Sequence, residues 1–178
     1  MRIRDLSVTY RDGVVAFQAL DRGGLELRAG QILALVGETG SGKTTLGKAM
    51  MGLLPNNARK AGSIKFRDQE LIGLGETLLN RLRWSRMAMV FQNGAENLNP
   101  VHRVIDQIAE PLIHTLEMRP KEARRRAESL LLSMGLQRDE TLRYPHELSG
   151  GQIQRALLSM ALVLDPAILI LDETNASH

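Results

Sequence analysis

The run Gly37-Glu38-Thr39-Gly40-Ser41-Gly42-Lys43-Thr44-Thr45 has the types and spacing of a phosphate loop: Gly, four residues, Gly-Lys, then a hydroxyl residue. Glycines at 37, 40 and 42 let backbone N–H groups turn inward with no Cβ in the way. Those N–H groups, with a helix N-terminus behind them, make a nest for phosphate oxygens. Lys43 adds a mobile positive charge that reaches β- and γ-phosphates. The Thr44 hydroxyl is a hard oxygen ligand of the kind Mg²⁺ prefers. A dinucleotide fingerprint does not fit, because its last small position, after Gly40 and Gly42, is Thr45.

Three other places carry usable chemistry. Asp172-Glu173 closes an apolar run, Ile168-Leu169-Ile170-Leu171. Asp172 suits Mg²⁺, through water, and Glu173 suits orienting or deprotonating a water aimed at a γ-phosphate. Neighbouring strand residues point to opposite faces, so the two carboxylates divide these jobs. Gln92 follows the apolar Met89-Val90-Phe91, where an open α/β sheet turns a polar side chain into its ligand crevice. Leu148-Ser149-Gly150-Gly151-Gln152 precedes a helical pattern, which puts a hydroxyl and free N–H groups at the positive end of a dipole. An ordinary Ser149 N-cap is the plainer reading of the same residue. Tyr10 or Phe17 could stack on an adenine ring, or either could simply pack on a strand.

The elements that must hold these groups follow from local pattern. Ile32 to Val36 is a short apolar run and reads as a buried parallel strand feeding the phosphate loop. Leu46, Met50 and Leu53 recur at helical spacing, which predicts a helix running to about Leu54 and stopped by Pro55-Asn56-Asn57. Ile3, Leu6, Val8 and Tyr10 open a β-rich N-terminal portion. Arg11-Asp12-Gly13 is a turn in it, and Val14 to Leu20 and Leu25 to Leu27 read as further short strands. Gly62 to Phe66 and Met87 to Phe91 read as strands, Thr77 to Trp84 as a helix, and Asn93 to Pro100 as a loop. Helices are expected over Val104 to Leu116, kinked by Pro111, and over Pro120 to Met134. Arg81, Arg83 and Arg86 around Trp84, and the run Arg124-Arg125-Arg126, read more simply as solvated faces than as a nucleic-acid patch.

Composition narrows the class. A chain of 178 residues can bury one good core. Charged residues at 24% and apolar ones at 43% are ordinary for a globular protein, and a net charge of +3 permits anionic partners without demanding them. Aromatics at 3% argue against base-stacking platforms. With no cysteine there are no disulfides or thiolate metal sites. The N-terminus lacks the apolar core of a signal peptide, and no apolar run approaches the roughly 20 residues of a membrane span.

In this order, the phosphate loop, Phe91-Gln92, LSGGQ at 148–152 followed by Gln154-Arg155, and ILILDE at 168–173 resemble the nucleotide-binding domain of ATP-binding cassette (ABC) ATPases. Leu98-Asn99-Pro100-Val101, Gln107-Ile108-Ala109-Glu110 and Tyr144-Pro145-His146-Glu147-Leu148 resemble the oligopeptide, dipeptide and nickel importer group, although Asn93-Gly94 departs from its usual Asp-Pro. The resemblance implies a P-loop NTPase of α/β class: a mainly parallel sheet, an N-terminal antiparallel β portion and an inserted helical subdomain. It implies one incomplete ABC domain over 1–178, with a RecA-like core and β portion at 1–92 and 165–178 and the helical subdomain at 93–164. Gly37, Glu38, Thr39, Gly40, Ser41, Gly42, Lys43, Thr44 and Thr45, with Tyr10, would hold ATP. Thr44, Gln92 and Asp172 would serve Mg²⁺, and Glu173, Gln92 and Lys43 would carry catalysis. Ser149 and Gly151 would touch the γ-phosphate of ATP on a second ABC subunit.

The implied activity is ATP hydrolysis coupled to solute import. The implied partners are a second ABC ATPase, homo- or heterodimeric, transmembrane permease subunits, and a periplasmic or extracellular solute-binding protein. The place would be cytoplasmic, peripheral on the inner membrane face, with no direct nucleic-acid contact. Thr174-Asn175-Ala176-Ser177-His178 departs from the family's D-loop, its aspartate is absent, and His178 comes too early for the switch histidine. A C-terminally shortened domain is therefore expected, with an uncovered sheet edge, weak solubility or partner dependence, and poor turnover. Two other readings stand beside this one: a soluble ABC-type ATPase acting on nucleic acid, and a binding-only remnant without turnover.

Overall fold

The computed structural model describes residues 1–83, 85–91 and 94–172. Trp84, Gln92, Asn93 and residues 173–178 lie outside the described residues, and so do the side chains of Gly94 and Ala95. The expectations for Trp84, Gln92, Glu173 and His178 therefore fall outside them too. The chain divides into two compact units, Met1–Leu82 and Arg83–His178.

The first unit is built on an antiparallel sheet. β1 (Arg2–Asp12) and β2 (Val15–Glu26) form a hairpin, and β3 (Ala58–Phe66) and β4 (Gln69–Glu70) complete the order β2-β1-β3-β4. The separate short strands expected over Val14–Leu20 and Leu25–Leu27 are one continuous β2. Simple alternation does not describe β1: its buried residues are Ile3, Leu6 and Val8. A bulge reconciles them. The register slips between Ile3 and Leu6, and Asp5 takes a left-handed φ of 50° as the extra residue. Opposite it lies Gly62 at φ 103°, because any Cβ there would collide with the Asp5 carbonyl. The side chains of Leu6, Val8, Ile64 and Phe66 then share the buried face of the sheet.

α1 (Lys43–Met50) follows the phosphate loop, and buries Gly47, Ala49 and Met50. It ends earlier than Pro55 predicts. Gly52 turns left-handed at φ 64°, its N–H bonds Ala49 O, and Leu53 N–H bonds Lys48 O, a Schellman stop. A second correction concerns Ile32–Val36, which forms no strand: Ile32 and Val36 are 97% and 95% exposed. An apolar run becomes a strand only where a sheet edge takes it. Among the described residues no backbone hydrogen bond reaches this one. α2 (Glu76–Leu82) closes the unit and buries Leu79.

The second unit carries a two-stranded parallel sheet and a helical cluster. β5 (Met87–Val90) and β6 (Ile168–Leu171) pair in register from Met87↔Ile168 to Val90↔Leu171. A 3-10 turn over Gly94–Asn97 leads to α3 (Val104–Leu116), which runs through Pro111, and α4 (Pro120–Ser133). A short α5 (Arg138–Thr141), unexpected from pattern, precedes α6 (Gly150–Leu162). Ile105, Ile108 and Leu112 of α3 meet Ala123, Ala127 and Leu131 of α4, whose alanines allow close approach. Leu112 and Leu131 are fully buried, so cutting either to alanine costs about 2–5 kcal/mol. Arg124, Arg125 and Arg126 face solvent, as the charge pattern suggested, and Arg124 meets Asp106 of α3 at 3.4 Å.

Candidate functional site

The phosphate loop sits at the start of α1 in the first unit. Gly40 and Gly42 have φ of 84° and 90°, conformations that side-chain-bearing residues avoid. Gly37 is constrained differently, since a Cβ there would stand 2.8 Å from Ser41 Oγ. Ser41 N–H bonds Glu38 O at 3.2 Å, which folds the loop on itself, and Leu46 N–H bonds Gly42 O at 2.8 Å, which starts the helix. Lys43 Nζ donates to Gly37 O and Glu38 O, both at 2.8 Å, so the ammonium is held over the loop. Residues 37–41 are exposed, which leaves their main chain open to an oxyanion.

Tyr10 is a cross-strand partner of Phe17 and lies 3.4 Å through its hydroxyl from Thr45 Oγ1. That bond fastens Tyr10 beside the first turn of α1, whereas Phe17 is 61% exposed on β2. Thr45 thus has a second use that its place in the motif does not reveal.

The second unit holds Asp172, Ser149 and Gly151. Asp172 follows β6 and its N–H bonds Val90 O at 3.0 Å, extending the pairing one residue past the strand. Ser149 is the N-cap of α6 in a reciprocal capping box: Ser149 N–H donates to Gln152 Oε1 at 2.7 Å, and Gln152 N–H to Ser149 Oγ at 3.4 Å. The plain N-cap reading of Ser149 therefore holds. Among the described residues Gly150 and Gly151 have nothing within 4 Å of an added Cβ, so none of these neighbours demands glycine. They leave the helix start bare.

Pattern reading missed two supporting residues. Glu140 accepts from the Gln152 side-chain amide at 2.5 Å and from Gln137 N–H at 2.7 Å, so α5 braces the start of α6. Gln107, buried in α3, accepts from Asn99 N–H and donates to Asn99 O and His102 O, at 2.8–2.9 Å. The stretches at 98–101 and 107–110 are thereby one structure. Arg103 lies 5.9 Å over the Tyr144 ring, which stacks on His146 at 5.7 Å, and Val104 N–H bonds Arg143 O.

The donors expected for a cation are the Thr44 hydroxyl, the Gln92 amide oxygen, which lies outside the described residues, and the Asp172 carboxylate. All are hard oxygens, and Mg²⁺ bound beside phosphates needs only one or two protein ligands. The chemistry of the set therefore fits.

Compared with known families, residues 20–176 match the ABC transporter model. The chain belongs to the ABC transporter family. Among relatives of this ABC chain, the oligopeptide transport ATP-binding protein OppD of Escherichia coli is 40% identical, over 99% of this chain and 53% of its own length. OppD of Mycobacterium tuberculosis is 38% identical, over 99% of this chain and 29% of its own length. The dipeptide transport ATP-binding protein DppD of Lactococcus lactis is 37% identical, over 99% of this chain and 52% of its own length. The ABC chain thus spans between 29% and 53% of the length of these curated relatives. The ATP-binding cassette MJ0796, in a dimeric post-hydrolysis state bound to ADP and Pi, superposes with a TM-score of 0.85 at 26% identity, over 96% of this chain and 72% of that chain. The fold is that of a P-loop NTPase, with an antiparallel N-terminal sheet, a parallel sheet and helices. No helix among the described residues is long and apolar enough to cross a membrane.

Proposed function

We propose that this chain is the ATP-binding and hydrolysing part of an ABC importer for peptides. The carrying observation is the Lys43 ammonium, poised on the Gly37 and Glu38 carbonyls above a loop of exposed main chain. In this reading the N–H groups of residues 37–45 and Lys43 bind the triphosphate, and Tyr10 flanks the adenine. Thr44, Gln92 and Asp172 supply oxygens to Mg²⁺, which when bound neutralises phosphate charge during transfer. Glu173 orients the attacking water and holds its proton. Residues 93–164 act as the helical arm between core segments at 1–92 and 165–178.

The relatives named for oligopeptide and dipeptide transport support the peptide class, and the dimeric cassette supports a paired state. Ser149 and Gly151 then meet the γ-phosphate held by a second ABC subunit, for which the bare start of α6 is suited. Permease subunits and a solute-binding protein complete the assembly on the inner face of the membrane.

The test is Mg²⁺-dependent phosphate release from ATP, with nucleotide affinity measured in parallel. Lys43→Ala is expected to weaken ATP binding at least tenfold, one charge-assisted contact being worth about 1.5–3 kcal/mol. Glu173→Gln is expected to keep binding and lose turnover. Undiminished ATP affinity in Lys43→Ala would refute the site.

A further inference from the structure

A second cationic cleft lies on the solvent face of the N-terminal sheet. Arg2, Arg4 and Asp5 of β1 and Gly62, Ser63 and Lys65 of β3 line a hollow of about 310 Å³. The pairing sets Arg2 directly opposite Lys65 and Arg4 opposite Ser63. Like charges placed opposite one another on one sheet face are destabilising. Here three cations crowd one side of the β1–β3 seam, against the single Asp5 carboxylate in the lining.

The neighbouring acids do not relieve them. Glu26, opposite Arg2 on β2, accepts instead from Arg28 Nε at 3.4 Å. Glu70, opposite Lys65 on β4, is occupied by the Ser63 hydroxyl and by the N–H groups of Ile64, Leu71 and Ile72. Among the described residues, the side chains of Arg2, Arg4 and Lys65 have no hydrogen-bond, ion-pair or ring partner. The floor is closely packed: at Gly62 there is no room for a Cβ against the Asp5 and Arg4 carbonyls.

We propose that this cleft is an anion site separate from the phosphate loop, and that it takes a small phosphate-bearing molecule. Guanidinium forks match tetrahedral oxyanions by paired N–H bonds, and an ammonium adds a point charge. The volume is at the lower end for ligand pockets, which suits a small anion rather than a folded partner. Ser63 gives its proton to Glu70, so the three cations do the binding.

The experiment titrates the whole chain with inorganic pyrophosphate by calorimetry, beside Lys43→Ala, Arg4→Gln and Lys65→Gln. The expected result is two classes of site. Lys43→Ala weakens one, while Arg4→Gln or Lys65→Gln weakens the other about tenfold and leaves ATP affinity unchanged. Arg4→Lys keeps charge but loses the fork, and falls between. The three side chains are exposed, so neutral amides there leave the fold intact, which thermal unfolding checks. A single class of site, lost in Lys43→Ala and indifferent to Arg4→Gln, overturns the proposal. So does a chain that ignores pyrophosphate but binds vesicles of anionic phospholipid through Arg4 and Lys65, which would make the face a membrane contact.

Discussion

Gly42 lies so close to Ala19 that a Cβ on it would stand 2.6 Å from the Ala19 carbonyl oxygen and 2.7 Å from Leu20 Cδ2. The phosphate loop is therefore shaped by β2 as well as by its own turns. Gly42→Ala has to pay the left-handed φ and displace main chain, whereas Gly40→Ala, with nothing within 4 Å among the described residues, meets only the φ strain. The strain alone is worth about 1–3 kcal/mol. Denaturant unfolding is expected to show Gly42→Ala destabilised more than Gly40→Ala, with a larger loss of ATP affinity. Equal effects in both assays would mean that the contact with β2 does not shape the loop.

The motifs are legible in the sequence because they are local. A phosphate loop, a Ser-led helix start and an apolar strand closed by acids are each written in consecutive residues. What escaped depends on partners far along the chain. Ile32–Val36 has the right composition for a strand, but composition cannot supply the neighbour that makes it one. The bulge at Asp5 is visible only when Gly62 lies opposite. Gly52, a single residue, stops α1 before Pro55 is reached. α5 has only four residues, too few to show a period, and Glu140 reveals its purpose only through Gln152.

Gln107 is the pin of the loop between the 3-10 turn and α3. Its amide serves one N–H and two carbonyls, so Gln107→Ala leaves polar groups beside a buried position without their partner and is expected to cost about 1–3 kcal/mol. Gln107→Glu keeps the acceptor for Asn99 N–H but turns a charged oxygen toward the carbonyls of Asn99 and His102. Its stability deficit should be larger at pH 7 than at pH 4, where the carboxyl regains a proton to donate. A deficit that does not change with pH would remove this account.

Glu70 offers a pH-dependent check on the first unit. Burial pushes its carboxyl up, but the Ser63 hydroxyl and the N–H groups of Ile64, Ile72 and Leu71 together outweigh that and leave it below the ordinary 4.5. A depressed carboxylate contributes stability that is present above its unfolded value and is lost as pH falls through the folded one. Glu70→Gln should therefore be less stable than the parent at pH 7, and the gap should close as the pH is lowered below about 4. Unfolding midpoints at pH 7 and pH 3 measure it, and a gap that widens in acid contradicts the assignment.

Ser149 separates a structural role from a ligand role. Its cap on α6 is real, so Ser149→Ala is expected to lose about 1 kcal/mol of stability. Ser149→Asp keeps the cap, since aspartate ranks with serine there and the helix dipole favours its charge. Unfolding of that variant should match the parent within about 0.5 kcal/mol. If the bare start of α6 also meets a γ-phosphate held by a second subunit, the added carboxylate repels it. ATP turnover and ATP-dependent dimerisation should then fall at least tenfold while binding at the phosphate loop is kept. Full activity in a stable Ser149→Asp chain would leave this residue a cap and nothing more.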